Sequence, residues 1–198
     1  MHLPKILSLV TCLLTVMHAG GPLAETTRTG PTHCHFDERI QFSCRIGIKI
    51  VSLCAGGEAG ATTSLAYRFG RIGKVENEFI ARLSNKNRFY ATVMPANPRA
   101  AVKQVWFNRG AIRYLLTECV GGSCPQEGGL AVLRGHRVLM NGRCKHEMQD
   151  DLGSFSRELV FFDLGEKWNV QSATPLLEIS DEDNYLDKIF PSPPGVFW

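Results

Sequence analysis

The chain has 198 residues, 44% of them apolar and 21% charged, with seven cysteines and a formal net charge of +3. That length and apolar content suit one globular domain with a sizeable core and argue against two full domains. The small net charge conceals a segregation: residues 25–114 hold 14 Lys and Arg against 6 acids, a balance of +8, whereas residues 147–198 hold 3 against 11, a balance of −8.

Lys5 precedes an apolar run of 12 residues, ILSLVTCLLTVM, and then the small residues of HAGGPLA. Charge, apolar stretch and small residues in that order predict a secretory signal peptide over residues 1–24, cleaved after Ala24, with Ala19 also fitting. The run is shorter than the ~20 residues a membrane-spanning helix needs. Export leads to an oxidising compartment, periplasmic or secreted, and six cysteines remain once Cys12 is removed with the leader: Cys34, Cys44, Cys54, Cys119, Cys124 and Cys144. An even count there predicts three disulfides. Cys119 and Cys124 bracket only VGGS and form the first expected pair, and at least one other bridge must tie Cys144 to the N-terminal half.

In chain order, residues 25–33 (ETTRTGPTH) read as a flexible N-terminus, residues 34–146 as a disulfide-stapled β domain, and residues 147–198 as an acidic C-terminal extension packing on the same domain. Apolar–polar alternation predicts strands over residues 40–44 and 48–54 around Gly47, and the Gly- and Ala-rich residues 55–63 read as a loop. Strands over 64–69 and 74–80 flank a turn with Gly70 and Gly73. Residues 81–101, with Pro95 and Pro98, read as a long connection holding a short strand over 88–93. Strands over 102–108 and 111–119 flank Asn108-Arg109-Gly110, and strands over 130–133 and 137–140 flank Arg134-Gly135-His136. The fold class expected is all-β: an antiparallel β-sandwich or small barrel of roughly eight short strands. Near the C-terminus, Leu152, Phe155, Leu159 and Phe162 fit a short helix over residues 149–162, with a strand over 159–162 as the alternative. The terminal Phe197 and Trp198 are expected to dock on the body.

Phe42-Ser43-Cys44, Val51-Ser52-Leu53-Cys54-Ala55, Tyr67-Arg68-Phe69-Gly70 and Cys144 together resemble a group of uncharacterised secreted bacterial β-rich proteins. The resemblance covers roughly residues 34–146 and leaves the acidic C-terminal part unmatched. It implies a periplasmic or secreted β protein and brings no activity and no functional residue with it.

Metal sites and activated nucleophiles need their residue types at fixed spacings. His33-Cys34-His35 and Cys144-Lys145-His146 suggest a metal site, but zinc ligands usually stand two to four residues apart in each half, and disulfide-bonded thiols do not ligate. Gly121-Gly122-Ser123-Cys124-Pro125 lacks the second glycine of a nucleophile elbow. Asp150-Asp151 and Asp181-Glu182-Asp183 read as solvated acidic runs rather than a glycosidase pair. No catalytic residue, metal or cofactor is therefore expected. Lys49, Arg68 and Arg113 read as the polar outer face of a sheet, and Tyr67, Phe69, Phe79, Phe107 and Tyr114 as core. Trp106, opposite Val105 and Phe107, is the aromatic expected on a binding surface. The leading expectation is a non-enzymatic binding protein, an inhibitor or immunity-type protein against a basic enzyme, with Asp181, Glu182, Asp183 and Trp106 as partner-binding candidates. Nucleic acid is disfavoured as a partner, because export is expected and the cations are scattered singly among strands rather than clustered. A structural envelope-associated protein is the alternative and a small secreted hydrolase the third.

Overall fold

Short alternating runs closed by two-residue glycine turns dictate hairpins, and hairpins in series dictate antiparallel sheets. A computed structural model of the chain describes residues 30–97, 100–121, 124, 128–145, 154–163, 169–182, 184 and 189. The strands are β1 (Glu38–Ile46), β2 (Lys49–Glu58), β3 (Ala61–Arg71), β4 (Lys74–Arg82), β5 (Phe89–Asn97), β6 (Ala100–Arg109), β7 (Ile112–Gly121), β8 (Gly128–Arg134), β9 (Arg137–Arg143), β10 (Val160–Asp163), β11 (Asn169–Ser172) and β12 (Leu177–Ile179). They form a four-stranded meander β1-β2-β3-β4, a six-stranded sheet β12-β5-β6-β7-β8-β9 and a two-stranded β10-β11 ribbon. All pairings are antiparallel except β12 with β5.

The fold is all-β and disulfide-stapled as expected, with more strand than the sequence suggested. Residues 55–63 are not a loop: β2 and β3 run through them to a turn at Ala59-Gly60, with a register shift at Gly57, where φ is +92°. The short strand expected within residues 81–101 is longer: β5 spans Phe89–Asn97 and pairs with β6, which leaves residues 83–88 as the connection from β4. Pro95 is tolerated there because β12 covers only Phe89 to Ala91, so no neighbour needs the missing N–H. Within residues 149–162, the part described turns into β10, and the strand alternative holds from Val160 rather than a helix. Glycine is required at Gly70, where a Cβ would stand 2.1 Å from the Lys74 carbonyl oxygen, opposite a bulge at Glu76 in β4.

The two large sheets share one core. Phe42, Val51, Leu53, Leu65 and Tyr67 from the meander meet Phe89, Val105, Phe107, Leu116 and Leu130 from the six-stranded sheet. Phe107 lies at its centre, stacked on Phe79 at 4.1 Å and on Tyr114 at 4.9 Å between ring centroids. Each such side chain stabilises by about 1.5–3 kcal/mol on burial. Phe155, Leu159, Val160 and Val170 extend the core beyond the sheets. A second cluster, with Trp106, Leu115, Ala131, Leu133 and Ile189, lies on the opposite face of the six-stranded sheet. Ile189 and the fully buried Asn184 thus place part of the C-terminal segment as a cover on that face.

The bridges are Cys34–Cys54, Cys44–Cys144 and Cys119–Cys124. Cys44–Cys144 joins the meander to the end of β9, and the Lys145 N–H then donates to the Arg45 carbonyl along the β1 edge. The β4 edge is capped by side chains: Arg109 donates to the Glu78 carbonyl, and Asn85 and Asn87 to that of Ile80. Residues 30–33 do not behave as the flexible N-terminus expected of them. Ser43 Oγ donates to the Pro31 carbonyl, the His33 N–H to Ser52 Oγ, and Cys34 is bonded to Cys54, so the segment is strapped across the meander's outer face. The signal and cleavage site, residues 25–29 and the terminal aromatics lie outside the described residues. Among the described residues, no helix is long and apolar enough to cross a membrane.

Candidate functional site

Two glycine turns at one end of the six-stranded sheet, β6–β7 at Gly110 and β8–β9 at Gly135, leave a cleft between them, and Glu182 of the C-terminal segment closes it. The cleft has a volume of about 570 Å³ and is lined by Asn108, Gly110, Ala111, Arg113, Leu133, Gly135 and Glu182. Arg113 on β7 organises it. Its Nε donates to Asn108 Oδ1 at 3.1 Å, its Nη1 to Asn184 Oδ1 at 2.5 Å, and its Nη2 stands 2.5 Å from Glu182 Oε2. Its guanidinium carbon lies 5.4 Å from the Trp106 ring centroid, within cation–π range.

Asn184 anchors the acidic rim. Its Nδ2 donates to Gln104 Oε1 at 2.7 Å beneath the cleft, so the residues just before it are held in place. Asp181 is exposed and the Glu182 side chain is 56% exposed. Of the four expected partner-binding residues, Glu182 therefore lies on the cleft and Asp181 beside it, and Asp183 lies outside the described residues.

Trp106 is not where it was expected. Strand parity does set it opposite Val105 and Phe107, but it is 1% exposed, covered by Tyr90, Arg113 and the second apolar cluster. It supports Arg113 from below instead of meeting solvent. The sequence marks Asn108 only as a turn residue, does not single out Gln104 or Asn184, and offers Arg113 only as part of a sheet's polar outer face. The one available signal was the pairing of a turn asparagine with an arginine five residues on.

A second polar cluster sits under the N-terminal strap. Arg68 was expected on an open outer face, yet it is 3% exposed. Its guanidinium donates to Glu38 Oε2 at 2.5 Å, Glu38 Oε1 at 3.0 Å, Glu78 Oε1 at 2.7 Å and the His33 carbonyl at 3.2 Å. Burial pushes the Glu38 carboxyl up, but hydrogen bonds from Arg68 and the His35 N–H, with the Arg68 charge, outweigh it and hold Glu38 below its ordinary value. The cluster is a structural clasp, in which Nε, Nη1 and Nη2 of Arg68 all donate inward. A third buried pair, Lys103 with Glu118 at 3.2 Å, also serves structure, since the other Glu118 oxygen accepts the Phe155 N–H at 2.8 Å.

Neither cluster has the parts of a catalytic centre. Sγ of Cys34 and Cys54 and a Glu38 oxygen lie within 4.8 Å of one another, but both sulfurs are in one disulfide and offer no thiolate. His33 meets Ser52 only through its backbone N–H, while its Nε2 lies 3.1 Å from the Gly70 carbonyl oxygen, so it offers that serine no base. The Tyr67 hydroxyl is buried, and that burial drives its ionisation far above the ordinary range. No protein-family model, curated protein or solved structure matches the chain.

Proposed function

We propose that the protein is an exported binding protein, an inhibitor or immunity-type protein that engages a basic enzyme at the cleft closed by Glu182. The observation that carries this reading is the anchoring of the rim: Asn184, tied to Gln104 and Arg113, holds Asp181 and Glu182 at the mouth of a cleft before any partner arrives. A pre-ordered rim lowers the ordering cost of association. A partner's Lys or Arg would take the exposed Glu182 oxygens in place of Arg113. The displaced Arg113 keeps Asn108, Asn184 and the Trp106 ring, so the exchange leaves no unpaired buried charge. Three disulfides suit a periplasmic or secreted setting, where thiols oxidise. The test is affinity capture on the immobilised protein from envelope and culture extracts, with elution by salt. A basic enzyme that elutes as ionic strength rises supports the reading, because exposed charge pairs are screened within about 8–10 Å at such salt; no capture, or capture indifferent to salt, opposes it.

A second reading has an observation of its own. Beyond residue 146, Glu158, Glu178 and Glu182 each pair with an arginine of the basic body, Arg39, Arg88 and Arg113. Those contacts favour a structural, envelope-associated protein in which charge segregation serves internal packing. The two readings part at Glu182: in the second, its loss lowers stability and changes no partner.

A further inference from the structure

The meander carries a surface that the cleft does not use. Its two hairpin turns at one end, β1–β2 and β3–β4, are two-residue turns of mirrored order, Gly47-Ile48 and Ile72-Gly73, with Gly47 at φ +62° and Gly73 at φ +73°. The glycines satisfy the turns. Two-residue hairpin turns otherwise favour Asn, Asp or Gly, so β-branched isoleucine at both tips adds nothing to turn geometry. The mirrored order puts Ile48 just before β2 and Ile72 just after β3, each one residue beyond the paired Lys49 and Arg71, so the two stand at the adjoining ends of the two central strands. They are 70% and 67% exposed, and Val75 beside them is also exposed.

Cations ring these tips. Lys49, Arg71 and Lys74 surround a single acid, Glu76, which bonds Lys49 at 2.5 Å and lies 3.9 Å from Arg71. Their proximity holds Glu76 below its ordinary value, chiefly through the Lys49 hydrogen bond. Arg143 and Lys145, both exposed, run beside the β1 edge that leads to the first tip. Paired aliphatic tips inside a cationic ring match the boundary of an anionic bilayer, where apolar side chains enter and basic ones meet headgroups.

We infer that the paired tips Ile48 and Ile72, with Lys49, Arg71 and Lys74, dock the protein reversibly on anionic membrane surfaces. The cleft shares no residue with this surface, so the inference stands independently of the proposed partner.

The test is co-sedimentation of the purified protein with phosphatidylcholine vesicles, with and without phosphatidylglycerol. Binding to the anionic vesicles alone, weakening with salt, is expected. R71E/K74E should lower the affinity about tenfold or more, each juxtamembrane cation being worth about 1 kcal/mol. I48S/I72S should lower it about tenfold with an unchanged melting temperature, since neither side chain is packed in the core. L139S, which removes an exposed leucine on β9, should bind as wild type. Absence of vesicle binding, equal binding to neutral vesicles, or I48S/I72S binding as well as wild type would each overturn the inference; the last would reduce the contact to diffuse charge attraction.

Discussion

Replacing Glu38 by Gln removes the carboxylate that grips Arg68 and leaves the buried guanidinium in place. Glu38 accepts two of the four Arg68 hydrogen bonds. A glutamine of equal length offers one neutral oxygen and turns an amide N–H₂ toward a cation, so at least one Arg68 donor loses its partner. Breaking one side of a buried ion pair costs about 3–5 kcal/mol. Glu78 and the His33 carbonyl still compensate Arg68, and Glu78 is partly hydrated, so E38Q is expected to lose about 2–3 kcal/mol at neutral pH. The loss should depend on pH. Because folded Glu38 titrates below its unfolded value of about 4.3, its contribution is complete above that value and is lost as the pH falls through the lower, folded pKa. Urea denaturation of both proteins with disulfides intact, from neutral pH to about pH 3, reads the difference. The gap should narrow in acid as the wild type loses the part of that contribution carried by the Glu38 charge. A gap under about 0.5 kcal/mol at neutral pH, or one that persists unchanged in acid, would refute the clasp.

The bridges should rank by the chain they close. C44S/C144S opens a loop with a sequence separation of 100 and should cost about 4–5 kcal/mol, whereas C119S/C124S, with a separation of 5, should cost about 2; equal or reversed denaturation midpoints would contradict this order. G70A should destabilise by at least about 2 kcal/mol, because the added Cβ meets backbone rather than a movable side chain, and a melting temperature equal to wild type would show that the bulge relaxes. W106A should lower stability by about 3–5 kcal/mol through the cavity it leaves in the second cluster. If that variant melts like wild type, Trp106 is not the buried support of Arg113 described above.

What the sequence made legible is what local chemistry decides. The turns at Asn108-Arg109-Gly110 and Arg134-Gly135-His136, the alternation of β1 to β4 and the short Cys119–Cys124 bridge all follow from residues close in the chain. Residues 55–63 and the extension of β5 past Val93 were not legible because their Gly, Ala and Pro content lowers strand propensity, and pairing with neighbouring strands overrides it. Parity placed Arg68 and Trp106 on the correct faces, but parity does not say what covers a face. The strap over the meander and the C-terminal segment over the six-stranded sheet cover them, and both contacts join residues far apart in sequence. The cleft was half legible for the same reason: Glu182 stood out by charge, whereas Asn184 gains its role only by reaching Gln104, 80 residues away.

Glu182 works either outward on a partner or inward on Arg113. Calorimetric titration of the captured basic enzyme with wild type and with Glu182→Gln decides it. If the rim binds, the affinity of E182Q falls about fivefold or more and the difference shrinks with salt, as expected for an exposed charge pair. An affinity that E182Q leaves unchanged would contradict the account and return the acidic segment to packing alone.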